Sequence, residues 1–292
     1  DLADDPLEER RAHRVRAVAG KTVNDVLDDP LSRYLKKNGL RSADEIEKTF
    51  KRHVRPQIGK LGISELKRSN IVAMLDKIED GSGPVAADRT LAYLRKALNW
   101  YAARDDEFNS PIVKGMAKTK PKERAGTRTL DDAEIRDVWS ALDAVDQPAP
   151  YRAFVRMLLL TAQRRDDVAK MQWSEIAEGS DGKKLWVIPA ERFKTKVDNV
   201  VPLTDPVLLL IGKRAKGSGP FGFSTTKGKR SFSGYSKAKA MLDTKIAERR
   251  EATKREPIPG WRQHDLRRTA RSLMSRAGVD GNIAERVLGH VI

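Results

Sequence analysis

The chain has 292 residues, enough for two domains of ordinary size, and 39% of them are hydrophobic, which excludes a disordered tail. It has no cysteine, which excludes disulfides, thiolate catalysis and cysteine-based zinc sites. Lys and Arg number 57 against 41 acidic residues, and the net charge of +16 points to a polyanionic partner, because basic side chains neutralise phosphates and release counterions.

The opening Asp1-Leu2-Ala3-Asp4-Asp5-Pro6 has no signal-peptide character, and no apolar run approaches the ~20 residues of a membrane span. Together with the lack of cysteine this fits a cytoplasmic protein. The chain does not begin with Met, so it reads as a fragment or a processed form. Residues 1–20 read as a linker segment, with a charged stretch over 5–16 that is either an exposed helix or solvated chain.

Residues 21–116 read as an all-helical domain without strands. Val23, Val26, Leu27, Leu31 and Leu35 recur at helical spacing. Ser42-Ala43-Asp44-Glu45 has the form of a capping box, so a helix should start at Ala43 and end before Pro56. Ser69 is placed to cap a helix through Ile71, Leu75 and Ile78, stopped by Gly81-Ser82-Gly83-Pro84. A last helix runs from about Val85 to Ala103 and buries Leu91, Leu94, Leu98 and Tyr101. Arg89, Arg95 and Lys96 lie around it as candidate DNA contacts.

Residues 117–128 are basic and lack apolar periodicity, which marks a domain boundary. Lys118 and Lys120 are candidate DNA contacts there; a hinge that clamps a duplex and a merely solvated linker are equally open. The second domain, 129–292, opens on another capping box, Asp131 to Glu134. A strongly apolar helix follows over 151–161. Leu185–Pro189 and Val200–Leu203 are β-prone runs that read as a hairpin with Lys194 and Lys196 near its tip. Helices follow at about 235–250, 265–276 and 283–287.

Five basic residues in this half form a chemical set. Arg164 follows the apolar helix, Lys194 sits in the hairpin, His264 and Arg267 open a later helix at spacing 3, and His290 closes Leu288-Gly289-His290. Cleaving a phosphodiester builds negative charge on its nonbridging oxygens, and two planar, permanently charged guanidinium groups are a natural clamp for it. A histidine suits removal of the nucleophile's proton, and a lysine suits protonation of the leaving oxygen. Asp167, three residues after Arg164, is placed to orient it. Arg268 beside Arg267 is a further candidate DNA contact, as is Lys196. Each residue alone reads equally well as a surface side chain; the order of the five carries the signal.

Thr161-x-x-Arg164-x-x-Asp167, Met171-Gln172-Trp173-Ser174-Glu175-Ile176, His264-x-x-Arg267 and Leu288-Gly289-His290 resemble the tyrosine recombinase, or phage integrase, family over about 129–292. Residues 22–116 resemble its core-binding domain by helix pattern and position. The resemblance implies a mainly α fold with a small β-hairpin: a SAM-like helical core-binding domain and a mixed α/β catalytic domain. It implies a site-specific recombinase that exchanges DNA strands through a 3′-phosphotyrosyl intermediate, with no metal and no nucleotide cofactor. Arg164 and Arg267 would bind the scissile phosphate, His264 act as general base, Lys194 protonate the 5′ oxygen and His290 hydrogen-bond the phosphate, with Asp167 supporting where the family more often has Glu. The implied partners are double-stranded attachment sites and a homotetramer on DNA, with an excision factor left open.

Two departures stand out. Ala162 occupies a position where the family prefers Gly. The family's nucleophilic tyrosine lies roughly nine residues past the last histidine, and the five tyrosines here, at 34, 93, 101, 151 and 235, all precede His264. The expectation is a chain that stops short of its nucleophile and lacks an arm-binding domain before Asp5-Pro6. The competing readings are a type IB topoisomerase and a sequence-specific DNA-binding protein without chemistry.

Overall fold

The computed structural model describes residues 20–40, 42–120, 126–143 and 148–290. The predicted charged stretch over 5–16 lies outside them. The chain divides into two compact units, Asp1–Ala125 and Gly126–Ile292.

The first unit is helical. Helix α1 (Val23–Pro30) starts where the predicted apolar spacing starts: Thr22 Oγ1 accepts the Asp25 N–H at 3.3 Å and the Asp25 carboxylate accepts the Thr22 N–H at 2.8 Å. Helix α2 (Ala43–Thr49) begins at Ala43 as predicted. Ser42 is not its side-chain cap, however, because its backbone is already αR rather than extended.

The helix does not end before Pro56. It widens into a π turn over Phe50–Val54, where the Arg55 N–H reaches the Phe50 carbonyl, and resumes as α3 (Arg55–Ile58). The wider turn puts Pro56 in a new first turn, where a missing N–H costs nothing. Helix α4 (Arg68–Ser82) is capped by Asn70, whose Oδ1 accepts the Lys67 N–H at 2.9 Å, and not by Ser69. It runs through Gly81 and turns only at Gly83, with φ of +83°, so that Pro84 opens α5 (Pro84–Ala102). Leu27, Phe50, Ile71, Leu75, Leu91 and Leu94 fill the core between these helices. Burying each contributes about 1.5–3 kcal/mol.

The predicted interdomain segment begins inside this unit. The buried Asp88 on α5 accepts the backbone N–H groups of Lys118 and Thr119 and the Thr119 hydroxyl, which pins that stretch down.

The second unit packs seven helices around a small sheet, among the described residues. Helix α6 (Asp132–Ala141) carries the predicted capping box, with Asp131 and Glu134 bonding each other's N–H at 2.8 and 2.9 Å. Helix α7 (Ala149–Thr161) is the apolar core helix, and α8 (Arg165–Ala169) follows one turn later. Strands β1 (Ile176–Glu178), β2 (Lys184–Ile188) and β3 (Asn199–Pro202) form one antiparallel sheet in that order. The predicted hairpin is therefore β2–β3, extended by a third strand. Helices α9 (Asp205–Ile211), α10 (Tyr235–Ala252), α11 (Gln263–Arg276) and α12 (Gly281–Val287) complete the unit. Tyr151, Phe154, Phe223, Phe232 and Tyr235 form a cluster with ring centroids 5.1–6.4 Å apart that ties the start of α10 to α7.

Candidate active site

The site starts from the way α7 ends. Ala162 adopts the left-handed conformation, φ 54° and ψ 20°, and is fully buried. Such a conformation costs a non-glycine residue roughly 1–2 kcal/mol, the physical reason a glycine would be favoured here. The bend turns Gln163 inward, fully buried, and leaves Arg164 extended as the N-cap of α8.

Gln163 then joins three elements. Its amide donates to the Thr161 carbonyl at 2.9 Å and the Val287 carbonyl at 2.8 Å, and its Oε1 accepts from Asn199 at 3.0 Å. The end of α7, the end of α12 and the start of β3 meet on one side chain.

The Arg164 guanidinium lies over the Phe193 ring, 4.7 Å from its centroid. The predicted support from Asp167 is loose: Nη1 and Oδ2 stand 4.0 Å apart, and both atoms are buried without a hydrogen-bond partner among the described residues. Burial pushes the Asp167 carboxyl up, against the pull of Arg192, Arg164 and Arg267.

Helix α11 presents His264 and Arg267 one turn apart. His264 is exposed and lines an open cleft of about 510 Å³ that Arg164 also lines, with Tyr235, Lys239 and Trp261 on its walls. Partial burial, then the charges of Arg268 and Arg267, hold His264 below its ordinary value, so it is neutral at pH 7. Arg267 is only 5% exposed. Its Nη1 donates to the Ala162 carbonyl and its Nη2 to the Leu288 carbonyl, both at 2.5 Å. Those carbonyls end α7 and α12, where no intrahelical N–H remains to satisfy them. Burial and the charge of Arg164 lower Arg267 to about 10, which leaves it cationic at neutral pH.

His290 follows Gly289, whose φ is +63°. A Cβ on that glycine would stand 2.3 Å from Phe193 Cζ, so only glycine lets the last turn press on the ring that carries Arg164. His290 Nε2 lies 3.3 Å from Arg267 Nη2, and its Nδ1 lies 2.5 Å from the Glu285 carboxylate.

Lys194 is exposed in the β2–β3 connection and makes no hydrogen bond or ion pair among the described residues. Its neighbours are fixed. Phe193 is buried, and Arg192 donates to the Asp167 carbonyl at 2.9 Å and pairs with Glu175 at 2.6 Å. Of the five residues, Arg164 and His264 line one cleft, Arg267 follows His264 by one turn and ties the Ala162 carbonyl to the Leu288 carbonyl and His290, and Lys194 is exposed on an anchored loop. The two tyrosines of this unit are committed elsewhere. Tyr151 is fully buried and hydrogen-bonded to Gln263, and the Tyr235 hydroxyl donates to the Phe232 carbonyl at 2.6 Å. Burial pushes both up to about 12.

The remaining predicted contacts divide. Lys96, Lys120 and Lys196 are exposed. Arg89 is exposed but pairs with Glu45 at 3.2 Å, and Arg95 reaches the Val113 carbonyl at 3.5 Å. Lys118 and Arg268 are each tied to acidic neighbours. Lys118 is held by Asp76 and Glu79, which raise its proton affinity, because α4 presents both carboxylates to it. Arg268 is held by Asp265 one turn back on the same helix.

Residues 128–291 match the Phage integrase family. Over 252 residues the chain is 25% identical to the prophage integrase IntA of Escherichia coli (strain K12), covering 85% of this chain and 58% of that protein. It is 26% identical over 180 residues to the integrase of Enterobacteria phage P4, covering 57% of this chain and 40% of that one. The chain therefore spans about half the length of these relatives. Among solved structures, a lambda integrase tetramer bound to a Holliday junction matches at TM-score 0.67 with 19% identity, covering 100% of this chain and 82% of that one. The Tn1549 transposon integrase in complex with circular intermediate DNA matches at 0.67 with 14% identity, covering 94% and 93%. At these identities the two structures establish the fold: a helical unit followed by a mixed unit with a three-stranded antiparallel sheet.

Proposed function

Because this chain belongs to the phage integrase family, we propose that it is the DNA-cleaving part of a site-specific recombinase that integrates or excises a mobile element. The observation that carries this is that Arg164 and His264 line one cleft while Arg267, one turn after His264, is hydrogen-bonded to the carbonyl two residues before Arg164 and lies 3.3 Å from His290.

The chemistry follows from the groups. A scissile phosphate sits between Arg164 and Arg267, whose fixed charges stabilise the extra negative charge of the pentavalent state. Neutral His264 accepts the proton of an attacking tyrosine hydroxyl. The tyrosyl oxygen bonds to phosphorus as the bond to the 5′ oxygen breaks, and Lys194 gives that oxygen its proton. His290 hydrogen-bonds a nonbridging oxygen. The 3′-phosphotyrosyl bond conserves the energy of the phosphodiester, and a 5′ hydroxyl from another strand reverses the step. The DNA-bound tetramer of the structurally similar lambda integrase supports a homotetramer on paired attachment sites as the working assembly.

The test is capture of covalent protein–DNA adducts, by denaturation with SDS, after the full-length protein is incubated with chromosomal DNA fragments from its source. Wild type should yield adducts at a discrete sequence and Arg164→Ala should yield none. Adducts from Arg164→Ala at the wild-type rate would overturn the site, and efficient supercoil relaxation without a preferred sequence would favour a topoisomerase.

A further inference from the structure

Helix α12 ends in a Schellman motif. The His290 N–H bonds the Glu285 carbonyl at 3.0 Å, the Gly289 N–H bonds the Arg286 carbonyl at 2.8 Å, and Gly289 is left-handed between them. This motif brings the side chains of its first and last residues together, and the pair is frequently apolar. Here it is a carboxylate and an imidazole. Glu285 Oε2 lies 2.5 Å from His290 Nδ1, and its other oxygen, Oε1, accepts from Arg271 Nε at 2.9 Å. Arg271 stands one turn after Arg267 on α11, so a continuous chain runs Arg271, Glu285, His290, Arg267.

We propose that Glu285 is a positioning residue for His290, holding the imidazole proton on Nδ1 and directing Nε2 to the phosphate. A carboxylate only accepts, so the 2.5 Å contact requires the hydrogen on Nδ1. A guanidinium only donates, so Nε2 in its 3.3 Å contact with Arg267 is the acceptor. The free site therefore carries one defined tautomer. A phosphate entering beside Arg267 replaces that contact. Nε2 then takes a proton from solvent and donates it to a nonbridging oxygen, and the Glu285 carboxylate balances the imidazolium. Arg271 keeps Glu285 from swinging away, since it occupies the second oxygen.

This rests on the role of His290 proposed above, and the test separates the two. Full-length protein labelled with ¹⁵N-histidine reports the His290 tautomer, and trapped-adduct kinetics report cleavage. Wild type should show the Nδ1–H form. Glu285→Leu keeps an apolar contact in the motif but removes the acceptor, so His290 should shift toward the Nε2–H form. Cleavage should then slow by about 10- to 100-fold, the scale of losing the partner that orients a functional histidine, with DNA affinity unchanged. Glu285→Gln preserves the acceptor without the charge and should give a smaller loss. It is the variant to read if the leucine form fails to fold, and a wild-type rate from it would then overturn the proposal. Slow cleavage by Glu285→Leu with the wild-type tautomer would reduce Glu285 to a helix tie. Wild-type cleavage by Glu285→Leu alongside a slow His290→Ala would also overturn the proposal and leave the role of His290 intact. Wild-type cleavage by His290→Ala would remove the role on which it rests.

Discussion

Arg164 Nη1 and Asp167 Oδ2 face each other across 4.0 Å, both buried, and neither has a hydrogen-bond partner among the described residues. The pair is held at charge distance without being closed. An arginine in this state keeps its hydrogen-bonding edge for a ligand, while the carboxylate offsets part of its charge.

That arrangement costs Asp167 stability when it is ionised. Its folded pKa is raised by burial, so the native state binds its proton more tightly than the unfolded chain does. Stability from this group is therefore lost as pH rises from its unfolded value through the raised folded value. Asp167→Asn should be at least as stable as wild type at pH 7, and the gap should close toward pH 3–4, about the unfolded carboxyl range. Urea midpoints at the two pH values measure it. A clearly less stable Asn form at pH 7 would mean that the ion pair, and not burial, dominates.

Arg164 and Arg267 should separate by their effect on folding. Arg267 satisfies the end carbonyls of α7 and α12. Arg267→Ala strands both and should cost roughly 2–5 kcal/mol, since bonds to a charged donor contribute about 1.5–3 kcal/mol each. Arg164 holds no such bond through Nη1, so Arg164→Ala should leave the denaturation midpoint within about 0.5–1 kcal/mol of wild type. Arg267→Lys, which keeps the charge but loses the fork, should slow cleavage by about 10²–10³, the scale of one lost donor to a developing oxyanion. Equal destabilisation by the two alanine variants would contradict this division.

The parts of this site that follow local rules were legible in the sequence. The Asp131–Glu134 box, the apolar helix before Arg164 and the β2–β3 pair each repeat a short-range pattern, and each is present. Ala162 departs from the family pattern, and its left-handed backbone is the physical reason glycine is favoured there. Gln163 falls at an unspecified position of the Thr161-x-x-Arg164 motif, although its side chain joins the ends of α7 and α12 to β3. Its partners lie 36 and 124 residues away, and no periodicity encodes such bonds. The same holds for Glu175, which joins Trp186 to Arg192. Pro56 misled for a different reason, because a π turn moved it to a position where proline is tolerated. Strand β1 has three residues, too few to show alternation.

Gln163 yields a prediction of its own. Gln163→Leu keeps an apolar fill but leaves the Val287 carbonyl and the Asn199 amide unpaired in a buried place. Two such losses at about 1–3 kcal/mol each should destabilise the protein by roughly 2–4 kcal/mol. Because Asn199 opens β3, the loop that carries Lys194 should also loosen. Hydrogen exchange over 189–198 should quicken in the variant, more than over α6. Unchanged protection of that loop would show that Phe193 and Arg192 hold it without Gln163.

His264 sets the acid limb of the reaction. Burial and two neighbouring arginines depress its folded pKa below 6.5, so the base form persists to lower pH than in a free histidine. Cleavage should stay flat from pH 8 down past about pH 6.5 and fall only below that. The stability linkage has the same direction. The unfolded chain takes up the proton first, so stability present above the unfolded pKa is lost as pH falls through the folded one. His264→Gln should slow cleavage by about 10²–10⁴ and remove the acid limb. The decisive reading is the pH–rate profile of trapped adducts. A limb centred above pH 7 in wild type, or one that survives His264→Gln unchanged, would assign the proton transfer to another group.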